Sequence, residues 1–394
     1  MHVRPPDLVV IGGGVTGTAT AVAAARRGLR TLLLEQFRIG HGHGSSHGPS
    51  RIIRLAYRAA DYVDLVQEAY SRWRALERES GRRLLRTTGG LDIGSPGTES
   101  LRGTAETMRQ RGVPHQHFSD PDLALRFPQL RCEPSMVGLY QPDAGVLDAD
   151  ACVAALAERA ASCGAVIQEQ ARVRGLHQTS DGMVLDVNEV SVHAGAVVIA
   201  AGSWTRQLLA TVGCSLELVV TREQVCHLAA PDSAGHGVGS FPVMIEHRTR
   251  RPPMISAFPQ LSPGKGVKLM LDRNGSAINP DDLTGKIDQQ ARRTLVGYAR
   301  RRMPALGPVL TTETCRYTMT RDEDFVLDLV PGCPRVAVAS ACSGHGFKFA
   351  PVIGEIMVNL VTGGETARPI DRFRIDRPGL RGAPTTRHRA RDRG

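Results

Sequence analysis

The chain has 394 residues, is 41% apolar and 22% charged, and carries a formal charge of +10. That composition excludes a disordered or fibrous protein and leaves room for two domains around a large core. No 18-residue apolar span and no cleavable leader is present, so the expectation is a soluble, cytoplasmic protein without membrane contact.

Residues 381–394 hold five arginines and one aspartate, so +4 of the charge lies in a Pro/Gly/Arg tail that reads as disordered. The remaining +6 suits an anionic small-molecule substrate, with no nucleic acid as partner. Eight cysteines show no C-x-x-C pair and no metal-ligand spacing, so they read as reduced thiols and no metal is expected.

In chain order, Leu8–Ile11 is a short apolar run that reads as a strand buried on both faces. Gly12, Gly14 and Gly17 follow with G-x-G-x-x-G spacing, then an Ala-rich helix stopped at Gly28. The first glycine permits the tight turn, the second the approach of a pyrophosphate, and the third close helix packing. Val15 and Thr16 open the helix, whose free N–H groups and dipole favour phosphate. A second strand, Thr31–Leu34, ends at Glu35, 21 residues after Gly14, where an acid would hold a ribose hydroxyl. The stretch implies a dinucleotide, NAD or FAD, and leaves open which.

Residues 39–50 carry four glycines, three histidines and three serines. Such a loop buries little apolar surface, so it either runs over solvent or packs on a ligand. His41 and His43 read as exposed. Arg51 and Arg54 would share a face if a helix begins there. Helices are expected at residues 62–79, 100–112, 120–127 and 148–164, and strands at 89–93, 137–140, 166–176 and 184–188. Residues 194–201 form a buried strand running into a second glycine turn, Ala201-Gly202-Ser203-Trp204, and a helix at Thr205–Thr211. From 216 to 309 strands dominate (216–221, 225–229, 243–246, 254–258, 267–271), as in an antiparallel sheet. A helix over 281–302 follows, then strands at 325–328 and 336–341, a third glycine turn at Gly344 and Gly346, and a helix over 351–362.

The fold class is therefore α/β plus antiparallel β. A discontinuous Rossmann-like dinucleotide domain (1–85, 145–215, 320–380) carries a substrate domain (86–144, 216–319) on a mostly antiparallel sheet.

Two further motifs, Cys315-Arg-Tyr317-Thr-Met-Thr320 and Ser343-Gly-His345-Gly-Phe-Lys348-Phe, are more specific than the glycines. With residues 12–17, 47–54 and 201–204 they closely resemble the monomeric sarcosine oxidase and N-methyltryptophan oxidase family, flavoenzymes of the D-amino-acid-oxidase type. The resemblance runs over residues 7–378. It implies FAD, tethered by a thioether to Cys315. It places Glu35 on the adenosine ribose and the Val173 backbone at the adenine, with Gln36, Ser46, Gly344 and the Ala201-Gly202-x-Trp204 turn as further cofactor contacts. The Gly346–Phe347 backbone would face the flavin N1–C2=O edge, and Arg51 and His47 would lie near the opposite face. Lys268 would stand at N5, where a fixed cation favours electron transfer to oxygen. Arg54 and Lys348 would clamp the substrate carboxylate, with Tyr317 also at the substrate site.

The sequence departs from the sarcosine enzymes at two places. Ser256 stands where they have a tyrosine and Asp272 where they have a histidine, and the intervening loop is one residue longer. The departures imply a larger or differently shaped substrate. The expected reaction oxidises the C–N bond of a secondary-amine amino acid to an imine, which water hydrolyses, with O2 reduced to H2O2. An oxidase of a cyclic imino acid, a flavin dehydrogenase with a protein acceptor, an NAD enzyme and a non-catalytic flavin binder stay open. The expected state is a monomer or weak dimer.

Overall fold

The computed structural model describes residues 4–231, 235–247 and 254–381. The basic tail, apart from residue 381, lies outside the described residues. Leu8–Ile11 pairs in parallel with Thr31–Leu34 on one side and Ala196–Ile199 on the other. Thr31–Leu34 continues to Val166–Gln168, and Ala196–Ile199 to Cys333–Ser340 and then the antiparallel Val326–Val330. One six-stranded sheet thus draws on the start, middle and end of the chain.

Strand geometry alternates the faces of this sheet. Leu8 and Val10 pack on the helices Val15–Arg26, Ala149–Ser162 and Ala350–Gly363. Val9 and Ile11 pack on a three-stranded antiparallel sheet, Val173–Gln178, Met183–Val187 and Val190–Ala194. Both faces are covered, which is why the strand reads as an unbroken apolar run. Residues 166–176 are therefore two strands in different sheets, not one, separated by Gln170 with φ of 56°.

The second large sheet has nine strands. Its pairs are antiparallel, except that Val243–Glu246 runs parallel to Gly90–Gly94. The two strands expected at 216–221 and 225–229 are one, Val219–Leu228. It persists because Val309–Met319 pairs along nearly its whole length. Phe241, Leu295 and Tyr298 fill the core between this sheet and the helix Gln289–Arg302. That helix starts eight residues later than expected. Pro280 and Gly285 break the preceding chain, and Asp288 caps the helix through the Gln290 and Ala291 amides.

Arg51–Ile53 is a strand, not the start of a helix. Ile52 and Ile53 are β-branched, and the segment pairs with Gly145–Leu147, which also pairs with Leu85–Thr87. Among the described residues, no helix is long and apolar enough to cross a membrane, and no acid, His and Cys cluster could hold a metal.

Candidate active site

A cavity of about 810 Å³ starts at the first glycine turn and ends between the two large sheets. Gly12 has φ of +107°, and a Cβ there would lie 2.5 Å from the Ala200 carbonyl oxygen. A Cβ on Gly17 would lie 1.8 Å from the Gly12 oxygen, so the helix sits on the turn as only glycine permits. Gly14, the first residue of the turn into the helix, supplies no side-chain cap, and no acid lies in the first turn. The Val15 N–H donates to Ser46 Oγ at 3.1 Å.

Glu35 accepts the Gly13 N–H at 2.6 Å and the Phe37 N–H at 2.8 Å. Burial pushes its carboxyl up, but the His41 contact and these amides outweigh that and hold it below the usual value. His41 and His43 are not the exposed loop residues expected. They are partly buried, each 4.8 Å from the Phe37 ring, and His41 Nε2 lies 3.4 Å from Glu35. Gly12, Gly14, Val15, Thr16, Glu35, Gln36, Ser46, Val173, Ala201, Gly202 and Trp204 line this end. Gly17 does not; it serves packing.

The middle of the cavity is lined by His47, Arg51, Lys268, Cys315 and Phe347. Arg51 donates to the carbonyls of Ser45, His47 and Ser50 at 2.7–2.8 Å, and no carboxylate pairs with it among the described residues. Its guanidinium stands 5.8 Å from the Phe347 ring centroid. His47 Nδ1 is buried without a partner, and burial and the Arg51 charge push its pKa down. Lys268 donates to the Ser50 carbonyl and hydroxyl at 3.2 and 3.0 Å. Burial, then Arg51, lowers it to about 7. Cys315 shows part of its surface to the cavity but is otherwise enclosed. Burial raises its thiol to about 12, against the pull of Arg51 and Lys268. Gly346 does not line the cavity; a Cβ there would lie 1.5 Å from the Ala341 oxygen, so its glycine serves the turn behind.

At the far end stand Arg54, Lys348, Ser256, Asp272, Tyr317 and Gly344. Arg54 pairs with buried Asp92 at 3.2 Å and donates to the Ala56 carbonyl. Asp92 also lies 2.6 Å from His247 Nε2. Lys348 Nζ donates to the Tyr57 hydroxyl at 2.9 Å and to the His345 carbonyl. Burial, with Arg54 and Arg273, pushes Lys348 well below its usual range. Asp272 accepts the Tyr317 hydroxyl at 3.0 Å and the Ser256 hydroxyl. Arg273 pairs with Glu323 at this end.

Sequence reasoning passed over Tyr57, Asp92, His247, Arg273 and Glu323. Asp92 alone left a signal, an acid inside an otherwise apolar strand. The others are joined across the chain, as Asp92 and His247 are over 155 residues.

The residues fit a flavin dinucleotide. The helix start and glycine turn offer amides to a pyrophosphate, the ionised Glu35 offers acceptors to a ribose, and the orphaned His47 and cationic Arg51 border the middle. The profile of a family described as DAO, FAD dependent oxidoreductase, matches residues 7–360. Peroxisomal sarcosine oxidase of Homo sapiens is 33% identical over 94% of this chain and 96% of its own. Monomeric sarcosine oxidase of Streptomyces avermitilis is 33% identical over 93% and 96%. Among solved structures, NikD, an amino acid oxidase essential for nikkomycin biosynthesis, superposes with a TM-score of 0.83 at 29% identity, over 94% of this chain and 98% of that one.

Proposed function

The chain belongs to the family of FAD dependent oxidoreductases and is an amine oxidase, and from that premise we propose that it oxidises a secondary-amine amino acid larger than sarcosine. When bound, FAD would supply the two-electron acceptor for the substrate's C–N unit and the route of those electrons to dioxygen. The chain's residues supply the rest. Residues 12–17 and Glu35 would hold the adenosine diphosphate portion, and Cys315 would tether the ring by a thioether. Arg51 and Lys268 are the cations that pull this thiol toward the reactive thiolate, against a burial that still holds it at about 12.

The observation that carries the reading is that Arg54 and Lys348 both stand at the end of a cavity that begins at a dinucleotide turn. Two cations converging on one carboxylate fix its orientation through charge-assisted hydrogen bonds. Lys268, enclosed and without a carboxylate partner among the described residues, provides the cation that assists dioxygen reduction. Ser256 and Asp272 leave room and acceptors where a larger substituent would extend. No side chain is required as general base if the substrate enters with its amine unprotonated.

The test is oxygen uptake and peroxide release across sarcosine, N-alkylglycines, N-methyl amino acids and cyclic imino acids. The expected result is one peroxide per oxygen, with glyoxylate from N-alkylglycines oxidised at Cα, formaldehyde from N-methyl amino acids oxidised at the methyl, and a cyclic imine from cyclic imino acids. Flavin reduction without peroxide would instead indicate a dehydrogenase.

A further inference from the structure

The cavity does not stop at the carboxylate clamp. It continues between the helix Glu99–Gln110 and the strand Val243–Glu246, along Ser100, Thr104, Ile245 and His247. The reaction itself uses none of these. Asp92 orders the hydrogen bonds among them.

Asp92 is 3% exposed, in the strand Gly90–Gly94. Burial pushes its carboxyl up, but the Arg54 charge and the His247 hydrogen bond outweigh that and keep it below the usual range. It is therefore an ionised group that can only accept. His247 Nε2, 2.6 Å from it, must carry a proton. With the ring neutral, Nδ1 is a lone-pair acceptor, and the Ser100 hydroxyl 3.1 Å away donates to it. The Ser100 proton is turned inward, and its remaining lone pair is what the cavity meets. Ser256 is committed in the same way, its hydroxyl donating to Asp272. Both serines offer acceptors.

We propose that this polar wing is a second substrate subsite, in which Ser100 accepts a hydrogen bond from a hydroxyl or ammonium at the far end of the substrate's nitrogen substituent. Asp92 and His247 are positioning residues that set the Ser100 hydroxyl. The substrate class is an N-substituted amino acid with a donor-bearing tail. The inference rests on the amine-oxidase reading.

The test measures kcat/KM of the holoenzyme. Substrates are N-(2-hydroxyethyl)glycine and N-(3-hydroxypropyl)glycine, their alkyl isosteres N-propylglycine and N-butylglycine, and N-(2-aminoethyl)glycine. N-(2-methoxyethyl)glycine serves as the acceptor-only control. A donor-tailed substrate is preferred over its alkyl isostere by about tenfold, the worth of one hydrogen bond. Ser100→Ala and His247→Gln bring that ratio to about one, and the loss falls on KM rather than kcat. If N-alkylglycines are oxidised but hydroxyl and alkyl tails are handled alike, or the methoxy tail is preferred, the subsite is wrong and the oxidase reading stands. If none of these glycines reduces the flavin, the oxidase reading fails first.

Discussion

Lys348 is a buried lysine crowded by Arg54 and Arg273, so it holds its proton poorly until an anion arrives. A bound carboxylate favours the protonated amine, so binding takes up a proton. Affinity for a carboxylate ligand therefore falls as pH rises. In Lys348→Arg the charge is permanent and the slope flattens; titration of a non-reacting carboxylate inhibitor at several pH values reads this directly. Lys268, lowered to about 7, behaves similarly toward oxygen. The rate of reoxidation should fall as pH rises through a midpoint at or above about 7, and Lys268→Met should abolish the dependence. For Cys315, the prediction is a yellow protein after acid precipitation, with Cys315→Ser colourless after the same treatment. A wild-type protein that releases all its flavin would remove the thioether.

At the scale of elements, the glycine turns and the strands around them were legible because their causes are local. Leu8–Ile11, Gly12 and Gly17 settle each other within ten residues. Val309–Met319 was not recognised as a strand, because its first half is polar and largely exposed; pairing with Val219–Leu228 decides it. The helix on which Arg51 and Arg54 would have shared a face does not begin there for the same reason, a partner strand almost a hundred residues away. The substrate end was half legible: Arg54, Lys348, Ser256 and Asp272 reach the cavity, but the Asp92 and His247 chain behind Arg54 is purely tertiary.

Two element-scale predictions follow from buried contacts. Gly346→Ala has no room for its methyl group against the Ala341 carbonyl, so it should displace the third turn and sharply lower flavin incorporation; unchanged flavin content would refute that. Glu223 lies across the strand pair from Cys315. Burial raises its carboxyl to about 7, against hydrogen bonds from Thr221, Asn274 and Gly275 that pull it down from there. In the unfolded chain it titrates near 4.5. The folded protein therefore binds the extra proton between those values, and this contribution to stability is present below 4.5 and lost as pH rises toward 7. Glu223→Gln should gain stability relative to wild type by up to about 3 kcal/mol between pH 5 and 8. A difference in unfolding free energy that does not change with pH would contradict it.

At the scale of the molecule, the two large sheets divide the labour. The sheet built around Leu8–Ile11 presents the dinucleotide turn, and the nine-stranded sheet presents Lys268 and Ser256 from adjoining strands and Cys315 from a strand on the other side of Val219–Leu228. We propose the discontinuous division at residues 1–85, 145–215 and 320–380 against 86–144 and 216–319 as the corresponding domain organisation. The cavity collects Arg51 from the short sheet, Arg54 from the residue after that strand, Lys268 from the nine-stranded sheet and Lys348 from the turn Phe347–Phe349 that follows the six-stranded sheet, so the site requires the whole fold. The central claim is that a carboxylate-bearing secondary amine delivers electrons to the bound flavin in this cavity. Anaerobic mixing of the holoenzyme with N-alkylglycines, followed by flavin absorbance, tests it most directly. The account predicts bleaching that saturates with substrate and is lost when the substrate's carboxylate is replaced by its carboxamide. A flavin that stays oxidised with every N-substituted amino acid, or bleaches equally with the carboxamides, would contradict it.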